Sequence, residues 1–210
     1  RSDHDRPTRP GGVTEPVLVT GGSGIVGRAL VERLVADGRR VRALARTQTA
    51  EAIGATGAEP VPGDVLDLGS LVEAMRGCST VFHVAGVNAM CLRDPSEMLR
   101  TNVEGSANAV RAAAAAGVAR FVYTSSSAAI GGASGSVGRE DSPHRGSYLS
   151  AYERSKHLAE RRVFELSRSL GVDVVAVNPS SVQGPGRATG SARLLLEVKE
   201  KRGLDIPLHI

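Results

Sequence analysis

Tyr152 and Lys156 stand four residues apart in the run Ser150-Ala-Tyr-Glu-Arg-Ser-Lys156. On a helix that spacing projects both side chains from one face. A free phenol has a pKa of about 10, and an ammonium group a few ångströms away in a partly desolvated site lowers it toward neutrality. The pair can therefore move a proton. Taken alone, Tyr-x-x-x-Lys also arises by chance as a surface contact worth about 0.2–0.5 kcal/mol.

Far upstream, Thr20-Gly-Gly-Ser-Gly-Ile-Val-Gly27 carries glycines at positions 21, 22, 24 and 27, after a β-branched run and before a helical pattern. In that context Gly21 allows the tight turn, Gly24 lets backbone approach a pyrophosphate, and Gly27 lets helix pack on strand. The bland alternative is an ordinary strand-to-helix turn. In this order and at this separation the two motifs together point to an enzyme that uses a dinucleotide.

The elements that must position these residues follow from periodicity. Short β-branched runs alternate with longer helical patterns, which predicts β-α-β units and an α/β, doubly wound parallel sheet with helices on both faces. Predicted strands run from Val17 to Thr20, Val41 to Ala45, Pro60 to Pro62 (a weak signal), Thr80 to Val84, Arg120 to Thr124 and Val172 to Val177. Predicted helices cover Gly24 to Ala36, with a left-handed cap at Asp37-Gly38, then Leu68 to Met75, Ser96 to Ala116, Ser150 to Leu170 and Ser191 to Lys201. Residues 131–146, rich in Gly, Ser and charge, read as a long loop that either borders a ligand or merely connects.

Composition bounds the function classes. The 210 residues are 41% apolar and 23% charged, enough for one domain with a real core. No stretch is long and apolar enough to span a bilayer, so a membrane protein is not expected. The net charge of +4 is spread over interleaved Arg, Asp and Glu, and with three Phe, three Tyr and no Trp a nucleic-acid stacking platform is not expected either. Cys78 and Cys91 lack any metal-ligand spacing, so no metal site is expected and a reducing, cytoplasmic location is the simplest reading. Residues 1–14 are polar and read as a disordered leader without a secretory core.

The spacing Gly21-x-x-Gly24-x-x-Gly27 resembles the extended, epimerase-like branch of the short-chain dehydrogenase/reductase superfamily, and the resemblance recurs in Gly63-Asp64-Val65, Val81-Phe-His-Val-Ala-Gly86, the serine run after the fifth strand, and Tyr152-x-x-x-Lys156. It implies a Rossmann-type dinucleotide-binding domain over residues 15–187. Residues 188–210 would then begin a C-terminal substrate region that is truncated. It further implies that Ser126, Tyr152 and Lys156 are catalytic, with Ser127 the rival serine if the run slips by one. Gly21, Ser23, Gly24, Ile25, Val26 and Gly27 would hold the pyrophosphate side of the cofactor. Asp64 and Val65 would hold the adenine, and Val84, Ala85, Gly86, Asn102, Thr124, Pro179 and Val182 would complete the cofactor set with Tyr152 and Lys156.

No carboxylate ends the second strand, where one would bind the adenosine ribose; Arg46 stands there instead, favouring NADP(H) over NAD(H). Its alternative is a surface arginine. His83, within an apolar run, reads as a packed strand residue rather than a base. The expected reaction is hydride transfer between a nicotinamide and a small-molecule carbonyl or alcohol. Dehydratases of the family carry an Asp-Glu pair where this chain has Ser127-Ala128, which disfavours water loss. Local resemblance is to the dihydroflavonol-reductase-like and hydroxysteroid-dehydrogenase-like members. A nucleotide-sugar epimerase with retained NAD, or a non-catalytic dinucleotide sensor, are the alternatives, and family members often form homodimers through the helices at Ser96 to Ala116 and Ser150 to Leu170.

Overall fold

The computed structural model describes residues 15–89, 92–132, 135 and 137–182. The leader, the helix expected from Ser191 to Lys201, the region 188–210 and Cys91 lie outside the described residues. Six parallel strands, Val17–Thr20 (β1), Val41–Ala45 (β2), Glu59–Pro62 (β3), Thr80–His83 (β4), Arg120–Thr124 (β5) and Val174–Val177 (β6), form one sheet in the order β3-β2-β1-β4-β5-β6. The order reverses between β1 and β4. Ligands of doubly wound sheets bind at such a switch point, beyond the carboxyl ends of the strands.

Pro60 and Pro62 weaken the sequence signal of β3 because proline cannot donate to a ladder. The strand is nevertheless formed, since it pairs only with β2 and occupies the sheet edge. Alternation along the strands sends side chains to two cores. Leu18, Leu44, Val81, Phe121 and Tyr123 pack with helices Leu68–Met75 (α3), Gly105–Ala116 (α5) and Ala151–Leu170 (α6). Val17, Val19, Val41 and Ala43 pack with Ile25–Ala36 (α1) and the one-turn helix Ala50–Gly54 (α2). Burying a Leu or Phe as fully as Leu18 or Phe121 contributes about 1.5–3 kcal/mol.

Helix ends follow their chemistry. Past α1, Gly38 takes φ +73°, and Arg39 N donates to Leu34 O at 3.0 Å. α5 and α6 end at Gly117 and Gly171, both left-handed. The continuous helix expected from Ser96 to Ala116 is interrupted. A short helix Ser96–Leu99 (α4) passes into a π turn, Arg100–Glu104, before α5 begins. Such widened turns are frequent at functional sites, and this one carries Asn102.

Candidate active site

At the glycine turn the backbone makes the surface. Gly24 N donates to Gly21 O at 3.0 Å, which folds the turn tightly. Gly21 has φ +72°, and a Cβ added there would lie 2.6 Å from Ala85 N, while one added at Gly27 would collide with the Gly21 carbonyl. The first turn of α1 holds no acidic residue and no side chain caps it, so its amide groups are available to an anion. Ser23, Ile25 and Val26 beside it are exposed.

The end of β4 is tied to this turn. Val84 N donates to Thr20 O at 3.2 Å, and Ala85 N donates to Thr20 Oγ1 at the same distance. Thr20 Oγ1 also meets His83 Nδ1 at 2.9 Å, and His83 Nε2 meets Ser106 Oγ at 3.1 Å. Complete burial, with the Lys156 charge adding to it, pushes the His83 pKa down to about 3. The imidazole is therefore neutral, with one ring nitrogen donating and the other accepting between the Thr20 and Ser106 hydroxyls. His83 is a packed strand residue, and its hydrogen bonds hold the β4 terminus.

Arg46, at the end of β2, is exposed and makes no ion pair among the described residues; its backbone N–H donates to Thr49 Oγ1 at 3.1 Å. Arg42, the second residue of β2, is engaged with Glu59 at 3.5 Å and with the Arg76 carbonyl at 2.8 Å. After β3, Asp64 is exposed and its Oδ1 accepts from Leu66 N at 2.9 Å. Val65 is buried, and a Cβ added at Gly105 of α5 would lie 2.9 Å from its Cγ2.

Asn102 joins three elements. Its Oδ1 accepts from Val87 N at 2.8 Å, and its Nδ2 donates to Val87 O at 3.0 Å and to Ser155 Oγ at 2.9 Å. Ser155 in turn donates to Tyr152 O at 2.7 Å. Both amide protons and one lone pair of this fully buried side chain are thus spent on placing the chain beyond Gly86 against the start of α6.

Lys156 is 6% exposed and donates to Thr124 O at 2.9 Å. Burial pushes its pKa down to about 8, partly opposed by Glu160. Ser126 is buried and begins the short turn Ser127–Ala129, its Oγ accepting from Ala128 N at 3.2 Å, whereas Ser127 is exposed. Asn178 Nδ2 bridges Ser126 O at 3.2 Å and Glu160 Oε2 at 2.8 Å, and Ser127 N donates to Pro179 O at 3.0 Å. The stretch bearing Ser126 is thereby held between β6 and α6. Tyr152 is half-buried one turn before Lys156. Val182 is the last residue described.

Several supporting residues were not evident from sequence. Thr20, Ser155, Glu160 and Asn178 act through contacts between distant segments, which leave no local pattern. Glu153 did have a signal, the Ser150-x-x-Glu153 capping pattern, of which the serine half forms: Ser150 Oγ accepts from Glu153 N at 3.1 Å, while the Glu153 carboxylate accepts from Leu149 N instead. Among the described residues no cluster could hold a metal ion, and no helix is long and apolar enough to cross a membrane.

Comparison with known proteins places this geometry. The model of the NAD-dependent epimerase/dehydratase family matches residues 17–202. A protein of Synechocystis sp. provisionally named dihydroflavonol 4-reductase is 39% identical over 172 residues, covering 80% of this chain and 49% of the relative. The 2-alkyl-3-oxoalkanoate reductase of Shewanella oneidensis is 33% identical over 175 residues, covering 80% of this chain and 45% of that one. The chain thus spans about half the length of the curated relatives it matches. A short-chain dehydrogenase/reductase superfamily protein of Agrobacterium tumefaciens, solved with bound NAD, superposes with a TM-score of 0.71 at 30% identity, over 90% of this chain and 59% of that one.

Proposed function

Since the chain belongs to the NAD-dependent epimerase/dehydratase family, we propose that it carries the cofactor-binding and proton-transferring part of an NAD(P)-dependent oxidoreductase acting on a carbonyl/alcohol pair. The observation that carries this reading is Lys156, a lysine buried one helical turn from Tyr152 with its ammonium held on the Thr124 carbonyl. A buried cation is costly unless it is paired or hydrogen-bonded, and here the Thr124 carbonyl and the Glu160 charge offset part of that cost. We assign the ammonium to the Tyr152 phenol because the two residues lie one turn apart on α6.

The residues present fit a dinucleotide. The Gly21 to Gly27 turn packs so closely on itself and on the end of β4 that a Cβ at Gly21 or Gly27 would strike backbone, and the uncapped amides of α1 suit a pyrophosphate. Arg46, exposed and without an ion pair among the described residues, suits a ribose phosphate, which favours NADP(H). When bound, the nicotinamide supplies or accepts the hydride.

The chain's own groups handle the substrate oxygen. In reduction the Ser126 hydroxyl donates a hydrogen bond to that oxygen as negative charge develops, and the Tyr152 hydroxyl delivers the proton. Lys156 as ammonium stabilises the phenolate left behind, and the reverse sequence serves oxidation. Ser126 is preferred over Ser127 because it is the buried one, with its backbone fixed by Asn178.

The test is Tyr152→Phe, which removes the proton and little else. Turnover in the whole protein is expected to fall by at least about 100-fold with cofactor affinity retained, and a rate within about twofold of the parent would overturn the mechanism. Net change in the near-ultraviolet absorbance of the reduced nicotinamide separates this reading from an epimerase, which returns its hydride and shows none.

A further inference from the structure

The loop between β5 and α6 is fastened at its base by an ion pair that the proposed triad does not use. Glu153 follows Tyr152 directly, yet its carboxylate is buried, accepting from Leu149 N at 2.7 Å and from Arg145 Nη2. Arg145 reaches the other end of the loop, its Nη1 donating to Gly132 O at 3.3 Å and its backbone N to Gly131 O at 2.9 Å. One guanidinium therefore ties the chain leaving the Ser126 turn to the helix carrying Tyr152.

A tilted ring contact lies beside this tie. His144 and His157 lie with centroids 4.0 Å apart, and His157 Nδ1 donates to Ala129 O at 2.9 Å. Gly131, at φ +54°, leaves the space that the His144 ring fills; a Cβ there would fall on the imidazole. The contacts thus reach Ala129, Gly131 and Gly132 on one side and Glu153 and His157 on the other.

Stability alone explains this arrangement poorly. Burying a carboxylate and a guanidinium carries a desolvation cost that the pair's attraction often fails to repay. Arg145 Nε is also buried without a hydrogen-bond partner among the described residues, a further cost, while His144 Nε2 faces Glu153 Oε1 at 3.8 Å without hydrogen-bonding it. By contrast Val137, further out in the same loop, is 85% exposed. The buried polar groups are concentrated where the loop meets the Ser126 and Tyr152 elements.

We propose that Glu153 and Arg145 are a positioning pair that fixes the Ser126 turn against the start of α6, and with it the separation of Ser126 and Tyr152. The pair also isolates that separation from changes in the outer loop. This rests on the reading of Ser126 and Tyr152 given above.

The test measures kcat, cofactor dissociation constant and melting temperature of the whole protein for Glu153→Gln and for Arg145→Lys, which keeps the charge but loses the fork. Expected is a kcat lowered about tenfold to a hundredfold in both, with cofactor affinity held within about twofold. A merely structural role would lower melting temperature and cofactor affinity together with kcat, and that result overturns the proposal. Tyr152→Phe is run alongside. If it abolishes turnover while both pair variants keep theirs, the positioning pair alone is wrong; if Tyr152→Phe keeps its turnover, the triad reading and the pair fall together.

Discussion

At the glycine turn the chain forms its candidate ligand surface from backbone, whereas at the ends of β5 and α6 it does so with buried polar side chains. Gly21 and Gly27 matter for the atoms they lack, and the side chains between them, Ser23, Ile25 and Val26, stand exposed. Around Ser126 and Lys156 the opposite holds, because Asn102, Ser155, Lys156 and Glu153 are all buried and each needs a specific partner. A backbone-built surface depends on close approach and little on charge. A side-chain-built one carries desolvation costs, so its state depends on pH and on each partner being present.

The largest effect expected from that contrast is electrostatic and comes from Lys156 in the second region. Burial lowers the Lys156 pKa from 10.5 to about 8, so between those values the unfolded chain binds more protons at this position than the folded one. Stability should therefore rise with pH across that window, the cost of the buried charge being fully present below it and gone above it. In urea unfolding, Lys156→Met should lose this rise. Its stability relative to the parent should drop by about 3 kcal/mol between the lower and upper ends of the window. Parallel pH profiles for variant and parent would mean that the region is not built on a buried charge.

Next in size is a steric effect in the first region. Gly27→Val places atoms against the Gly21 carbonyl and is expected to cost about 1–3 kcal/mol of stability and at least about tenfold in cofactor affinity, at every pH. Thermal melts and a cofactor titration measure both. Unchanged affinity would break the comparison, since the turn would then not depend on close backbone approach.

The smallest effect sharpens the boundary between the regions, because Arg46 is an exposed cation assigned to the backbone-built side. Arg46→Asp should weaken NADPH about tenfold and leave NADH within about twofold, read by parallel titrations. Equal NADPH affinity in parent and variant would remove Arg46 from cofactor choice.

The two regions were also unequally legible. β1, β2 and β5 run over the residues that the β-branched runs predict, because a strand buried on both faces must be apolar along its length. Pro60 and Pro62 obscured β3, which survives at an edge where the missing donors cost least. The one-turn α2 was missed, since Ala50–Gly54 is too short to show a period. The helix around Asn102 was expected as continuous, whereas its π turn carries Asn102, which meets Val87 and Ser155 far away in the chain.

The sequence by itself determined the alternating elements, the glycine turn and the pairing of Tyr152 with Lys156 on one helical face, all of which follow from backbone geometry and short-range spacing. Only the tertiary structure decided that Ser126 rather than Ser127 is buried, that His83 is neutral between Thr20 and Ser106, and that Arg145 reaches Glu153 across the base of the loop. The physical reason is that burial and partnership of polar groups depend on which distant segments pack together, and a buried group's charge state follows from that packing rather than from its neighbours in the chain.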